Sequence, residues 1–249
     1  MKVRTTRVLA VLSLLLLSAA ARGKDKEKET QPAQGVDRGS FGVFMGGRRA
    51  ATETFSIVQR NAGSIITSEF KSEQGMNRPL QSAELQLTPT GEIVKYEWKE
   101  TLPEKVEAVV LPNDEFLIER TTTNPSDKPA EQPFLLPAST SILDDYSFVQ
   151  REVLLWKYLA MSCRQDKGLL ACPLKQRTQF GTLNPHGRTS MPISVEFSGR
   201  ESLTIRGVQR ELSRFELKSD GGDWSLWLDD QFKLIRIVIP DESTEVVRD

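Results

Sequence analysis

The sequence comprises 249 residues, 38% hydrophobic and 27% charged, with 33 Lys+Arg against 34 Asp+Glu and a formal net charge of −1. That apolar content is too high for a disordered chain and too low for a multi-span membrane protein, and the balanced charge lacks the footprint of a nucleic-acid binder. One histidine and two cysteines leave too few ligands for the common metal sites, so no metal or cofactor is expected.

Residues 1–21 read as a Sec-type secretory leader. Lys2, Arg4 and Arg7 make a positive start, VLAVLSLLLL forms a short apolar run, and Ala19-Ala20-Ala21 supplies the small residues a signal peptidase needs. Ten apolar residues are too few to cross about 30 Å of hydrocarbon as a helix, and no later run is longer. The expected product is therefore periplasmic or secreted, soluble and without an integral membrane span. Residues 22–38, RGKDKEKETQPAQGVDR, mix both charge signs with almost nothing apolar and read as a disordered linker.

Residues 39–122 form a series of β-patterned segments. A strand leads to Gly46-Gly47, a hairpin signal. Thr54 to Ile57 alternates and ends at Asn61-Ala62-Gly63; residues 64–71 follow. Ala83, Leu85 and Leu87 alternate with polar residues before Thr90-Gly91, and Val94, Tyr96 and Trp98 continue the period of two expected of a half-buried strand. Val106, Ala108 and Val110 extend the pattern to the turn at Pro112-Asn113-Asp114.

The Pro-rich stretch 123–133 is the best internal break. The one convincing helix follows over residues 144–162, free of Gly and Pro. Tyr146, Val149, Val153, Trp156 and Ala160 make one apolar stripe; Leu154, Tyr158 and Met161 make the other side apolar as well. The helix is thus expected to be sandwiched, with Ser141 or Asp144 as N-cap. Arg151 and Lys157 are its only basic residues, too few for a membrane-surface helix. Cys163 and Cys172 flank a polar turn, and in an oxidising compartment such a pair forms a structural disulfide. Strand patterns resume to the C-terminus, through Ile193-Val195-Phe197, the turn at Asp220-Gly221-Gly222, Leu226-Leu228 and the turn at Asp229-Asp230. Residues 244–247 are expected to close an edge. The pattern predicts a mainly β (α+β) protein: one β-rich domain over residues 39–249, a large antiparallel curved sheet or half-barrel with the helix on its concave face.

Three segments carry a resemblance. GSFGVFMGGRRAATETFSI, LLPASTSILDD and SLWLDDQFKLIRIVIPDESTEVVRD are similar to an uncharacterised class of exported bacterial β proteins known only as domains of unknown function. The predicted sheets of that class resemble the Lol-type lipoprotein carriers, whose half-barrels hold acyl chains. This chain departs from those carriers in having one helix where they use several as a lid, and no functional residue is carried over.

Catalytic constellations are missing from the sequence pattern. His186 sits in the turn-like Asn184-Pro185-His186-Gly187 with no G-x-S-x-G elbow and reads as an exposed loop residue. Asp144-Asp145 reads as helix capping and Asp229-Asp230 as a turn, since neighbours on a strand point to opposite faces and cannot work as a facing pair. A hydrolase is the least supported reading, and no catalytic residue is assigned. Tyr96, Trp98 and Trp156 are the candidates for lining a ligand pocket, against the alternative that they fill the core. The expected function is a non-enzymatic envelope protein that binds an apolar or lipid-like molecule between helix and sheet. The alternative is an interaction module docking on another envelope protein.

Overall fold

The computed structural model describes residues 33–74, 78–124, 126–166 and 169–249. The expected leader and residues 22–32 of the expected linker lie outside the described residues. The ordered sheet starts at Gln34, inside the stretch assigned to the linker, because Asp37 is buried and ion-paired with Arg248 at 2.5 Å and Lys233 at 3.3 Å.

In chain order the strands are β1 (Gln34–Met45), β2 (Arg48–Arg60), β3 (Gly63–Ser72), β4 (Leu80–Leu87), β5 (Ile93–Leu102), β6 (Val106–Asn113), β7 (Phe116–Thr122), β8 (Ala130–Phe134) and the short β9 (Ser141–Ile142). The helix α1 (Val149–Ser162) comes next, then β10 (Arg164–Asp166), β11 (Leu169–Ala171), β12 (Arg177–Asn184), β13 (Thr189–Ile205), β14 (Val208–Ser219), β15 (Gly222–Leu228), β16 (Leu234–Ile239) and β17 (Thr244–Arg248). Apart from the small β10–β11 pair, the strands form one sheet in the order β8-β7-β6-β5-β4-β3-β2-β1-β17-β16-β15-β14-β13-β12-β9. Two meanders are thus joined where the first strand pairs with the last, Phe41 opposite Arg248. β17 lies at the centre of the sheet, and not at its edge as the sequence suggested. Every pairing is antiparallel except β9 on β12.

Chain connectivity forces this sheet to curve. Fifteen strands laid flat at about 4.8 Å spacing would put β8 and β9 nearly 70 Å apart. Phe134 and Ser141 are joined by six intervening residues, which reach about 25 Å at full extension. The two edges must therefore approach each other, leaving an open, barrel-like roll. The Pro-rich stretch joins β7 to β8 within this same sheet.

The inner face buries one continuous core drawn from both meanders, including Phe41, Ile57, Leu85, Val110 and Leu117 from the first and Leu183, Val195, Phe215, Leu226 and Ile237 from the second. The concavity is filled by Val149, Leu154, Leu155, Tyr158 and Leu159 of α1, each apolar side chain stabilising by roughly 1.5–3 kcal/mol on full burial. A second, smaller core (Ile205, Leu212, Trp227, Ile235, Val247) lies on the other face. A bulge at Phe197/Gly199 turns the long β13–β14 hairpin so that its outer half covers this patch.

Turns follow the expected chemistry at Gly46-Gly47, both with positive φ. At Gly63 only glycine fits: φ is +133°, and a Cβ would lie 1.8 Å from the Leu87 carbonyl oxygen. The alternation breaks at Val94. A bulge at the β4–β5 pairing puts Ile93 inside and leaves Val94 exposed.

Candidate functional site

The helix starts at Val149, five residues later than its sequence suggested, and has no local side-chain cap. Its first N–H groups are satisfied from the sheet. The Glu53 carboxylate on β2 accepts from Phe148 N at 2.8 Å and Val149 N at 3.3 Å, the arrangement that orphan helix donors require. Burial pushes the Glu53 carboxyl up to about 8, against the pull of those two N–H groups. Asp144 is not a cap either. Wholly buried, it accepts from Tyr96 Oη at 2.7 Å, Gln81 Nε2 at 3.1 Å and Tyr146 N at 2.9 Å. Arg151 closes the network by donating to the carbonyl oxygens of Asp144 and Ser147. Further along α1, Glu152 accepts from Leu234 N at 3.0 Å, and burial, then Asp37, push its carboxyl up to about 9. These polar groups fix how the helix enters and sits in the roll.

The buried residues of α1 are Val149 to Glu152 in its first turn and then Leu154, Leu155, Tyr158 and Leu159. Of the stripe that looked most like a core face, Val149 is fully buried and Tyr146 half-buried, while the remaining part, Val153, Trp156 and Ala160, is only partly covered, and Ala160 is exposed. That part faces Leu85 and Leu87 of β4 and the loop before β9 across a slot of about 230 Å3. Ile142 and Leu154 complete the apolar wall, and the exposed Pro89-Thr90 turn forms the mouth. Two polar groups also line the slot. Lys157 Nζ rests on the Ser139 carbonyl oxygen at 2.6 Å, and burial lowers the pKa of its ammonium. Thr140 is 3% exposed, and its hydroxyl has no hydrogen-bond partner.

The three predicted ligand-lining aromatics are not brought together. Trp156 lines the slot, held by donation of its indole N–H to the Phe232 carbonyl at 2.6 Å. Tyr96 is buried in the Asp144 network and Trp98 under the β12–β13 turn; neither lines the slot. Cys163 and Cys172 form a disulfide just past the end of α1, across the β10–β11 pair. Sequence reasoning missed Lys157 and Thr140 as slot residues. Lys157 was legible in principle, since it follows Val153 at a spacing of four; Thr140 was not, because no local pattern places it against a helix that begins nine positions later, at Val149.

His186 is not the exposed loop residue expected. Its ring packs against Trp98 at 4.9 Å and edge-on to Tyr146 at 4.7 Å, so the β12–β13 turn reaches the inner face of β5. Beside it, Arg188 Nε stands 4.0 Å from Oε2 of Glu119 on β7, a side chain of zero exposure. Neither Glu119 oxygen has a hydrogen-bond partner, and burial pushes its carboxyl up to about 7 while Arg188 pulls it down.

Two other hollows differ in character. One of about 550 Å3 lies on the outer face of β2–β5, where short hydroxyl side chains such as Thr54, Ser56, Thr67 and Ser82 stand beside Glu69 and Glu84. The other, about 180 Å3, lies across α1 from the slot near Arg151 and Trp224, whose guanidinium and ring stack at 4.9 Å. Among the described residues no group of three or more His, Cys, Asp or Glu is arranged to hold a metal, and no helix is long and apolar enough to cross a membrane.

No protein-family model matches the sequence, and no curated protein matches it significantly. A solved structure does share the fold: a β-barrel-like protein of a domain of unknown function, DUF1849, from Brucella abortus. It has a TM-score of 0.54 and 9% sequence identity, over 85% of this chain and 94% of that one. The likeness is one of architecture, a β-rich roll of uncharacterised role.

Proposed function

We propose that this chain is an exported binding module that receives a slender apolar group in the slot between α1 and β4. The observation that carries this reading is the partly open apolar stripe Val153, Trp156 and Ala160, which faces Leu85 and Leu87 across about 230 Å3. A helix that only filled the roll would need one apolar face. This one has two, and the second is only partly covered, at a cost in exposed apolar surface that a ligand would recover. The rest of the concavity holds one continuous core and a smaller hollow of about 180 Å3 across α1 that is lined by Asp145, Arg151 and Glu242, which leaves the slot as the place for one narrow apolar chain. Export is supported by the leader-like residues 1–21 and by a disulfide, which persists in oxidising compartments.

The test is titration of the processed, oxidised protein with octanol, followed by tryptophan emission. Saturable binding by the wild type, lost in Ala160→Phe at unchanged melting temperature, is the expected result. The partly exposed site makes that substitution tolerable to the fold. Equal binding by both proteins, or by neither, overturns the reading.

A further inference from the structure

We propose that the slot selects an amphiphile with one hydrocarbon chain and an anionic, oxygen-rich head, held by Lys157. The inference rests on the apolar-slot reading and adds the chemistry of the head.

The setting of Lys157 points to it. Lys157 is the one half-buried cation among the described residues that line the slot, and the only hydrogen bond its ammonium makes there is to the Ser139 carbonyl oxygen at 2.6 Å. Glu92 is the acid whose field reaches it, opposing the effect of burial. A desolvated ammonium that leans only on the Ser139 carbonyl keeps donors to spare, because it has three and accepts none. Of the uncharged polar side chains there, Gln150 already uses its carbonyl oxygen on Asp144 N at 2.7 Å, and the Thr140 hydroxyl is closed off from the slot. An ammonium with donors to spare in this wall complements a group that is charged and only accepts: a carboxylate or a phosphate ester. A cationic head is repelled by Lys157, and a neutral one gains at most an uncharged acceptor's hydrogen bond.

The volume sets the chain length. With a methylene taken as roughly the volume of a liquid water, ~30 Å3, a slot of about 230 Å3 takes a chain of some eight carbons, or the end of a longer one.

The experiment compares four probes of one chain length, octanoate, octyl phosphate, octanol and octylamine, by calorimetry on the wild type and on Lys157→Met, Lys157→Arg and Thr140→Val. One or both anions are expected to bind roughly tenfold or more tightly than octanol and octylamine, as a charge-assisted hydrogen bond allows; which anion is preferred separates a carboxylate from a phosphate source. Lys157→Met should bring the anions to the level of octanol, and Lys157→Arg should keep the preference. Thr140→Val should leave anion binding unchanged and the melting temperature unchanged or higher, since it removes an unpaired hydroxyl that is closed off from the slot. If octanol or octylamine binds as well as the anions, or Lys157→Met changes nothing, the head-group inference is overturned while the apolar slot stands. If none of the four binds, both are overturned.

Discussion

The buried carboxyl of Glu119 makes stability depend on pH in a direction opposite to that of most surface acids. Its folded pKa, raised from 4.5 to about 7 by burial, lies above its unfolded value. The folded state therefore holds a proton that the unfolded chain releases. The associated stability is fully present below pH 4.5, is lost as pH rises toward 7, and changes little above that. Over the span from 4.5 to about 7, at about 1.4 kcal/mol per pH unit, the raw penalty is about 3.5 kcal/mol. Arg188, 41% exposed at the rim, lets solvent screen the site, so we take about 2 kcal/mol. Glu119→Gln removes the titration and keeps the shape. The measurement is thermal unfolding of wild type and variant at pH 5 and pH 8. The wild type should lose about 4–8 °C more than the variant on going from pH 5 to pH 8, at 2–4 °C per kcal/mol for a domain of this size. Comparing the two proteins across pH cancels the contributions of Glu53 and Glu152, which titrate in both. An equal pH response in wild type and variant would show that Glu119 is solvated in the folded state and that the reasoning is wrong.

Glu53→Ala removes the acceptor for the first N–H groups of α1 and should cost roughly 2 kcal/mol at pH 5 by urea unfolding. The cost should shrink by pH 8, because the wild-type carboxyl, raised to about 8, becomes progressively less favourable in the folded state as pH climbs; a cost that grows with pH would contradict the capping role. Replacing Cys163 and Cys172 by serine opens a loop with a sequence separation of 9 and should lower stability by roughly 2–3 kcal/mol, seen as a fall in melting temperature of roughly 4–12 °C. An unchanged melting temperature would mean that the loop is constrained without the bridge.

Much of this architecture was present in local pattern. The period of two marked most of the long strands, glycine pairs marked two of the hairpins, at Gly46-Gly47 and Gly221-Gly222, and the absence of Gly and Pro over residues 144–162 marked the helix, because these signals depend on backbone geometry and on neighbours within a few residues; β8, within the stretch read as a break, and β9 to β12 carried no such mark. The cysteine pair was readable for the same reason: only eight residues stand between its members. What alternation could not give was the partner of each edge. β17 reads as a terminal strand, yet pairing with β1 makes it the centre of the sheet, an association between residues some two hundred positions apart. The helix shows the limit most clearly. Its two apolar stripes are nearly equivalent as sequence, and only the closing of the roll decided that Leu155 and Tyr158 enter the core while Val153 and Trp156 stay at an open slot. The same closure set the loop before β9 against Lys157, laid the turn that carries His186 and Arg188 over Trp98 and the buried Glu119, and capped α1 with a glutamate nearly a hundred residues upstream. Side-chain periodicity determines which surfaces must leave water; which surfaces meet is a property of the whole chain, because it depends on long-range contacts that no local window contains.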